Sequence, residues 1–233
     1  MNSLLVRVYG VIRRPRATFA AIVASPTWAS ALIATTVITF ACSAGFLRTH
    51  VGQQALVDQW ERTALAFGQH VDDARYARLE DLSAGGGMVY AAVTALSSGP
   101  MLAFGLAAVL CLVLNRTTGT RASYVQVLAV VCYAGVILTV RQVIATPLDY
   151  MRESLASPTT LVQFFTMLDE ASPVARFLGV IDLFVVWWIM VLAIGMSVLY
   201  HRSARRLTVV FTGAYVALAL LAAIAMAVSG GTA

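Results

Sequence analysis

Residues 177–200 read FLGVIDLFVVWWIMVLAIGMSVLY. The run has 24 positions and one charged side chain, Asp182. A helix needs about 20 mostly apolar residues to cross the hydrocarbon core of a bilayer. Strands of a membrane barrel alternate apolar and polar over about ten residues, whereas this run is apolar on every face. It therefore reads as a membrane-spanning helix. The same test selects residues 28–47, 88–114, 124–146 and 207–228. With them, half the chain lies in apolar spans.

Composition agrees with that reading. Hydrophobic residues make up 60% of the 233 and charged residues 12%. A soluble domain runs at about 45–50% apolar and about 25% charged, so a water-facing surface is not affordable here. A disordered chain and a nucleic-acid module are excluded, although the net charge is +5. Three cysteines, Cys42, Cys111 and Cys132, all within spans, do not make a disulfide scaffold. The fold class is an all-α polytopic membrane bundle with five transmembrane helices plus short interfacial helices. Residues 1–27 form a cytoplasmic amphipathic anchor, 28–228 the five-span domain and 229–233 an outer tail. The 27 residues and four arginines ahead of the first apolar run distinguish it from a cleaved signal peptide.

The charges sort with this topology. The N-terminal segment (Arg7, Arg13, Arg14, Arg16), the 115–123 loop (Arg116, Arg121) and the 201–206 loop (Arg202, Arg205, Arg206) carry no acid. The other two loops, 48–87 and 147–176, hold all ten carboxylates outside the spans. Positive loops stay in the cytoplasm, so the N-terminus is inside and the C-terminus outside, in an inner membrane. Lysine is absent, and arginine forks onto phosphate bidentately. Arg13, Arg14, Arg16, Arg202, Arg205 and Arg206 are thus expected to contact anionic lipid.

Several segments outside the spans show helical patterns. Leu4, Leu5, Val8 and Ile12 repeat at helical spacing before Pro15, and Phe19, Ile22 and Val23 share a face after it. Such a basic amphipathic segment lies in the headgroup plane. Leu56, Trp60, Ala64, Phe67 and Val71 mark a helix in the first outer loop, followed by a flexible turn at Gly85-Gly86-Gly87. Ser157-Pro158 and Ser172-Pro173 place a capping side chain before a proline at the first helical position. The first opens a helix carrying Leu161, Phe164, Phe165 and Leu168; the second opens the fourth span.

Two charged residues remain inside spans, Asp182 and Arg141. An intramembrane ionisable residue is a candidate for function. Each sits five residues from the outer end of its span, about 7–8 Å deep at 1.5 Å per residue. The pair reads as a salt bridge pinning two spans, or as a polar site for an ion, a proton or a lipid headgroup. Pro100, midway along the second span, frees a backbone carbonyl and kinks the helix. Ala219, Ala223 and Ala227 form a small-residue stripe suited to close helix approach.

Enzyme motifs are absent: the chain has no HExxH, GxSxG or CxxC, and His50, His70 and His201 lie on separate loops. Asp72-Asp73 and Asp169-Glu170 are adjacent pairs that diverge on a helix and read as solvated turns. No cofactor, metal or catalytic residue is expected.

Three stretches resemble the bacterial branch of the Yip1-domain proteins. They are Pro15-Arg16-Ala17-Thr18-Phe19 with Pro26, Ser123-Tyr124-Val125-Gln126 opening the third span, and Leu178 to Ser197. The last carries Ile181-Asp182-Leu183-Phe184, Trp187 and Val191-Leu192-Ala193-Ile194-Gly195, similar to the family's Asp-Leu-Phe…Trp…Leu…Gly fourth span. The resemblance implies a five-span membrane domain. Eukaryotic members associate with small GTPases and carry an Asp-Leu-Tyr-Gly-Pro motif ahead of the first span. That motif is missing here, so GTPase binding does not carry over. The resulting expectation is a non-enzymatic inner-membrane scaffold or accessory subunit, whose partners are membrane lipids, itself or another membrane complex, with no nucleic acid. The alternative is a small transporter or lipid-handling protein using the Asp182/Arg141 site. A lipid-active intramembrane enzyme is a third class, for which no nucleophile–base pair is visible.

Overall fold

The computed structural model describes residues 4–66, 68–155, 157–165 and 173–230. Among these the fold is all α-helical apart from short π, 3-10 and turn segments and one isolated β-bridge. The helices are α1 (Leu4–Arg13), α2 (Pro15–Ala24), α3 (Ala29–Leu47), α4 (His50–Ala66), α5 (Asp73–Leu96), α6 (Leu102–Thr118), α7 (Tyr124–Ala134), α8 (Val136–Arg152), α9 (Pro173–Val180), α10 (Leu183–Tyr200) and α11 (Ala204–Gly230). Five stretches are long and apolar enough to cross a membrane: Ala29–Leu47, Asp73–Thr118, Tyr124–Arg152, Leu183–Tyr200 and Ala204–Leu221.

The chain divides into two compact units. The first comprises Met1–Thr39, Ala95–Arg141 and Phe184–Gly213. Its centre is α7, in which every residue from Val127 to Ala134 is buried. A helix apolar on all sides belongs in an interior. Phe19 and Ile22 of α2, Ala107 and Leu110 of α6, and Leu192 and Met196 of α10 complete that core. Gly195 permits the closest approach: a Cβ there would lie 2.5 Å from Val130 Cγ1 and 3.1 Å from the Phe19 ring. Trp187 and Trp188, partly buried, pack against this core. Ser123 caps α7 through a reciprocal box in which its side chain accepts from the Gln126 N–H and the Gln126 side chain accepts from the Ser123 N–H.

The second unit comprises Phe40–Thr94, Gln142–Leu183 and Ala214–Ala233. Its apolar cluster joins Ala44, Phe46 and Leu47 of α3 to Ala55 and Leu56 of α4 and Ala91 of α5. Trp60 meets Tyr90 edge to face at 5.6 Å. Gly52 allows the tight α3–α4 turn, since any Cβ would overlap the Phe46 carbonyl.

Four expectations are revised. The helix around Leu56 and Trp60 ends at Ala66, so Val71 falls outside it; Phe67 lies outside the described residues. Gly85-Gly86-Gly87 is not a turn but part of α5. Glycine costs a helix about 1 kcal/mol per residue relative to alanine, yet α5 runs through all three, with Gly87 beside Leu47 and Gly85 and Gly86 in open space. The N-terminal stripe is rotated: Arg7 and Val11 are buried on α1, while Leu5 and Ile12 are exposed. Ser157-Pro158 does not cap an α-helix; Pro158 and Thr159 form a turn, and a 3-10 helix begins at Leu161. The Ser172 cap, Leu168 and the Asp169-Glu170 pair lie outside the described residues.

Candidate functional site

The fourth apolar run is interrupted: its spanning helix begins only at Leu183, so Asp182, expected inside the span, lies just ahead of it. α9 ends at Val180, α10 begins at Leu183, and Ile181 and Asp182 between them are not helical. Such a break exposes backbone groups that an intact helix pairs internally, and in apolar surroundings each needs a replacement partner. The Thr159–Leu161 segment supplies two. Leu161 N–H donates to the Ile181 carbonyl at 2.8 Å, and Leu183 N–H donates to the Thr159 carbonyl at 3.1 Å. These bonds make the antiparallel bridge between Thr160 and Asp182. Tyr215 of α11 supplies the others: its hydroxyl accepts from Asp182 N–H at 3.2 Å and donates to the Val180 carbonyl at 2.7 Å.

The Asp182 carboxylate is closed in, with the residue 4% exposed. Its Oδ2 accepts from Ser157 Oγ at 2.9 Å and Thr159 Oγ1 at 2.7 Å. Asp182 also directly precedes α10, at the positive end of that helix dipole. The carboxyl group thus meets two hydroxyls and stands at a helix start. All of these groups belong to the second unit. Ser157 therefore serves the carboxylate in place of the helix cap expected from Ser157-Pro158.

The other expected residues fall as follows. Arg141 is half-buried on α8 and belongs to the first unit, Asp182 to the second. Pro100 lies in a π-helical turn, Ser97–Met101, which absorbs the donor that proline lacks. Beside it, Gly99 brings the backbone close to Thr36, whose hydroxyl is buried without a partner among the described residues. Arg13, Arg14, Arg16, Arg202, Arg205 and Arg206 are all exposed. Ala219 is buried; the side chains of Ala223 and Ala227 lie outside the described residues.

The arginine-only segments meet within the first unit. Arg202 Nη2 donates to the Thr118 carbonyl at 3.0 Å, joining the 201–206 and 115–123 loops. Gln126 Nε2 donates to the Val23 carbonyl at 3.3 Å, joining α2 to the start of α7. Three segments assigned to one compartment by their charge thus share one end of the unit.

Sequence reading missed two buried charges. Asp149, placed in an outer loop by hydropathy, is buried on α8. Arg7, counted among surface arginines, is 8% exposed. Its Nη1 donates to Thr27 Oγ1 at 2.7 Å and to the Ser25 carbonyl at 3.3 Å, and its Nη2 donates to Ser25 Oγ at 2.9 Å. The guanidinium also sits 6.0 Å from the Tyr133 ring centroid. The legible signals were the Arg7–Val11 helical spacing and the acid-free Ser25-Pro26-Thr27 segment that supplies oxygen acceptors.

Five apolar helices, the fourth preceded by a backbone break at a buried acid, define a polytopic α-helical membrane protein. The chain belongs to the Yip1 domain family, whose match covers residues 9–226. No curated protein and no solved structure matches it.

Proposed function

We propose that the protein is a non-enzymatic scaffold or accessory subunit of the inner membrane, associating with itself or with another membrane complex and organising lipid around it. The closed state of the Asp182 break carries this reading. Its carboxylate and exposed backbone groups are taken up by Ser157, Thr159 and Tyr215, so the acid at the break acts as a staple. The surrounding surface supports association. Only 28% of the first span and 11% of the fifth are buried, against 61% of the third. On the first span, Ala41 and Gly45 are both exposed at four-residue spacing, and a Cβ on Gly45 would meet nothing within 4 Å. Small residues so spaced let helices approach closely in lipid.

The acid-free arginine segments support a reading with the N-terminus in the cytoplasm and the C-terminus outside. Arg13, Arg14, Arg16, Arg202, Arg205 and Arg206 then face anionic headgroups. The Yip1 family is not a known enzyme family.

Extraction from its own membrane in mild detergent, followed by identification of co-purifying proteins, tests the reading. A second copy or a membrane-protein partner in stoichiometric yield supports it; a monomer carrying lipid alone contradicts it. One observation favours a second reading, a small transporter or lipid-handling protein: the helix is discontinuous at an acidic residue, as in many transporter sites. That reading requires Asp182→Asn to abolish transport while leaving the fold intact.

A further inference from the structure

We infer that the cleft between α1 and α2 is a binding site for a phosphate group, supplied by the headgroup of an anionic phospholipid. The cleft has a volume of about 500 Å³ and is walled by Arg7, Arg13 and Arg14, with Tyr9, Gly10 and Thr18 among its other lining residues. Three arginines thus line one small space, and residues 4–28 contain no acid.

Arg7 is the informative member. A buried guanidinium ordinarily has a carboxylate partner, because an uncompensated buried charge is costly. Here its acceptors are a carbonyl and two hydroxyls, all neutral. Its Nε is buried with no acceptor at all among the described residues. Arg7 therefore brings to the cleft wall a cation with no negative partner among the described residues, and a phosphate supplies that charge. Arginine is suited to this by its planar fork of donors.

The cleft is built, not incidental. Gly10 lets α1 and α2 close on one another, since a Cβ there would overlap the Thr18 hydroxyl. Thr18 is itself held by a bond from its Oγ1 to the Arg14 carbonyl at 3.0 Å. Tyr9 orients Arg13 by accepting from its Nη1 at 2.6 Å. The source of the phosphate follows from the same helix. Leu5, Val6, Tyr9 and Ile12 are exposed apolar or aromatic side chains on α1, and such a face beds into the headgroup boundary. Val6 and Tyr9 belong both to that face and to the cleft, so seating α1 on a bilayer brings phosphates to the arginines.

This site rests on the arginine face meeting the membrane and not on the scaffold role, so a failed co-purification leaves it standing. The test uses the full chain, stripped of lipid in detergent, with binding followed by native mass spectrometry. The probes are phosphatidylglycerol, phosphatidylcholine and inorganic phosphate. The expected result is retention of phosphatidylglycerol over phosphatidylcholine, weakened about tenfold by Arg13→Ala with Arg14→Ala, as the loss of charge-assisted bonds implies. Arg116→Ala with Arg121→Ala, exposed in the 115–123 loop and outside the cleft, should change binding less than twofold. Arg7→Lys, which keeps the charge but loses the fork, should weaken binding with the fold retained; if it does not fold, the Arg13/Arg14 variant decides alone. Inorganic phosphate binding that is equally sensitive to Arg13 and Arg14, without lipid retention, would keep the phosphate site and overturn the headgroup source. Equal losses in the two double variants, or no loss in either, would overturn the site.

Discussion

Tyr215→Phe isolates the hydroxyl that bridges the break between α9 and α10. The substitution keeps the ring and removes one oxygen, which accepts from Asp182 N–H at 3.2 Å and donates to the Val180 carbonyl at 2.7 Å. Each hydrogen bond contributes about 0.5–1.5 kcal/mol net in water, and interhelical side-chain bonds in bilayers average about 0.6 kcal/mol. Those two bonds alone come to about 1–2 kcal/mol. The larger effect comes from what is left behind. Val180 C=O and Asp182 N–H lie at a helix break where no i to i−4 partner exists, and an unsatisfied buried group costs about 1–3 kcal/mol. The expected destabilisation is about 2–4 kcal/mol, with local opening of the α9–α10 junction. Unfolding in mixed micelles of mild detergent and SDS, followed by the fluorescence of the four tryptophans, reads it out. Tyr124→Phe is the matched control. Its hydroxyl donates one hydrogen bond, 3.1 Å to the Phe104 carbonyl, at an exposed position, so about 0.5 kcal/mol is expected. A Tyr215→Phe loss no larger than the control would refute the bridging role.

Other outcomes follow from the same packing. Gly195→Ala forces a methyl toward Val130 and the Phe19 ring and should destabilise by about 1–3 kcal/mol in the same assay. Gly85→Ala and Gly86→Ala meet open space, so each should stabilise α5 by up to about 1 kcal/mol, and a loss would restore the turn assignment. Ser123→Ala removes the α7 capping box and should cost about 1 kcal/mol. Reporter fusions active only in the cytoplasm should be active at the N-terminus and silent at the C-terminus; the reverse would overturn the charge-based orientation.

The spans were legible because their signal is local: a continuous apolar run is enough to set a helix in lipid. The basic segments were legible too, since charge counts need no contacts. The break at Asp182 was not. Nothing between Val180 and Leu183 forbids a helix, and the groups that stabilise the open backbone lie elsewhere in the chain, at Ser157, Thr159 and Tyr215. The lone acid marked the place without revealing the geometry. Arg7 was hidden for a related reason. Four arginines near the N-terminus look alike in sequence, and only the return of the chain at Ser25 and Thr27 buries one of them. At Gly85–Gly87 the turn reading weighed three poor helix formers by themselves, whereas α5 continues through all of them.

The most direct measurement is the mass of the assembly released from the native membrane, compared between the wild-type chain and Asp182→Asn by native mass spectrometry. A scaffold with a structural aspartate predicts the same protein complex for both chains, because asparagine retains an oxygen for Ser157 and Thr159. A monomer bearing only lipid, or a folded Asp182→Asn chain that keeps its complex but has lost a transport activity of the wild type, would contradict it.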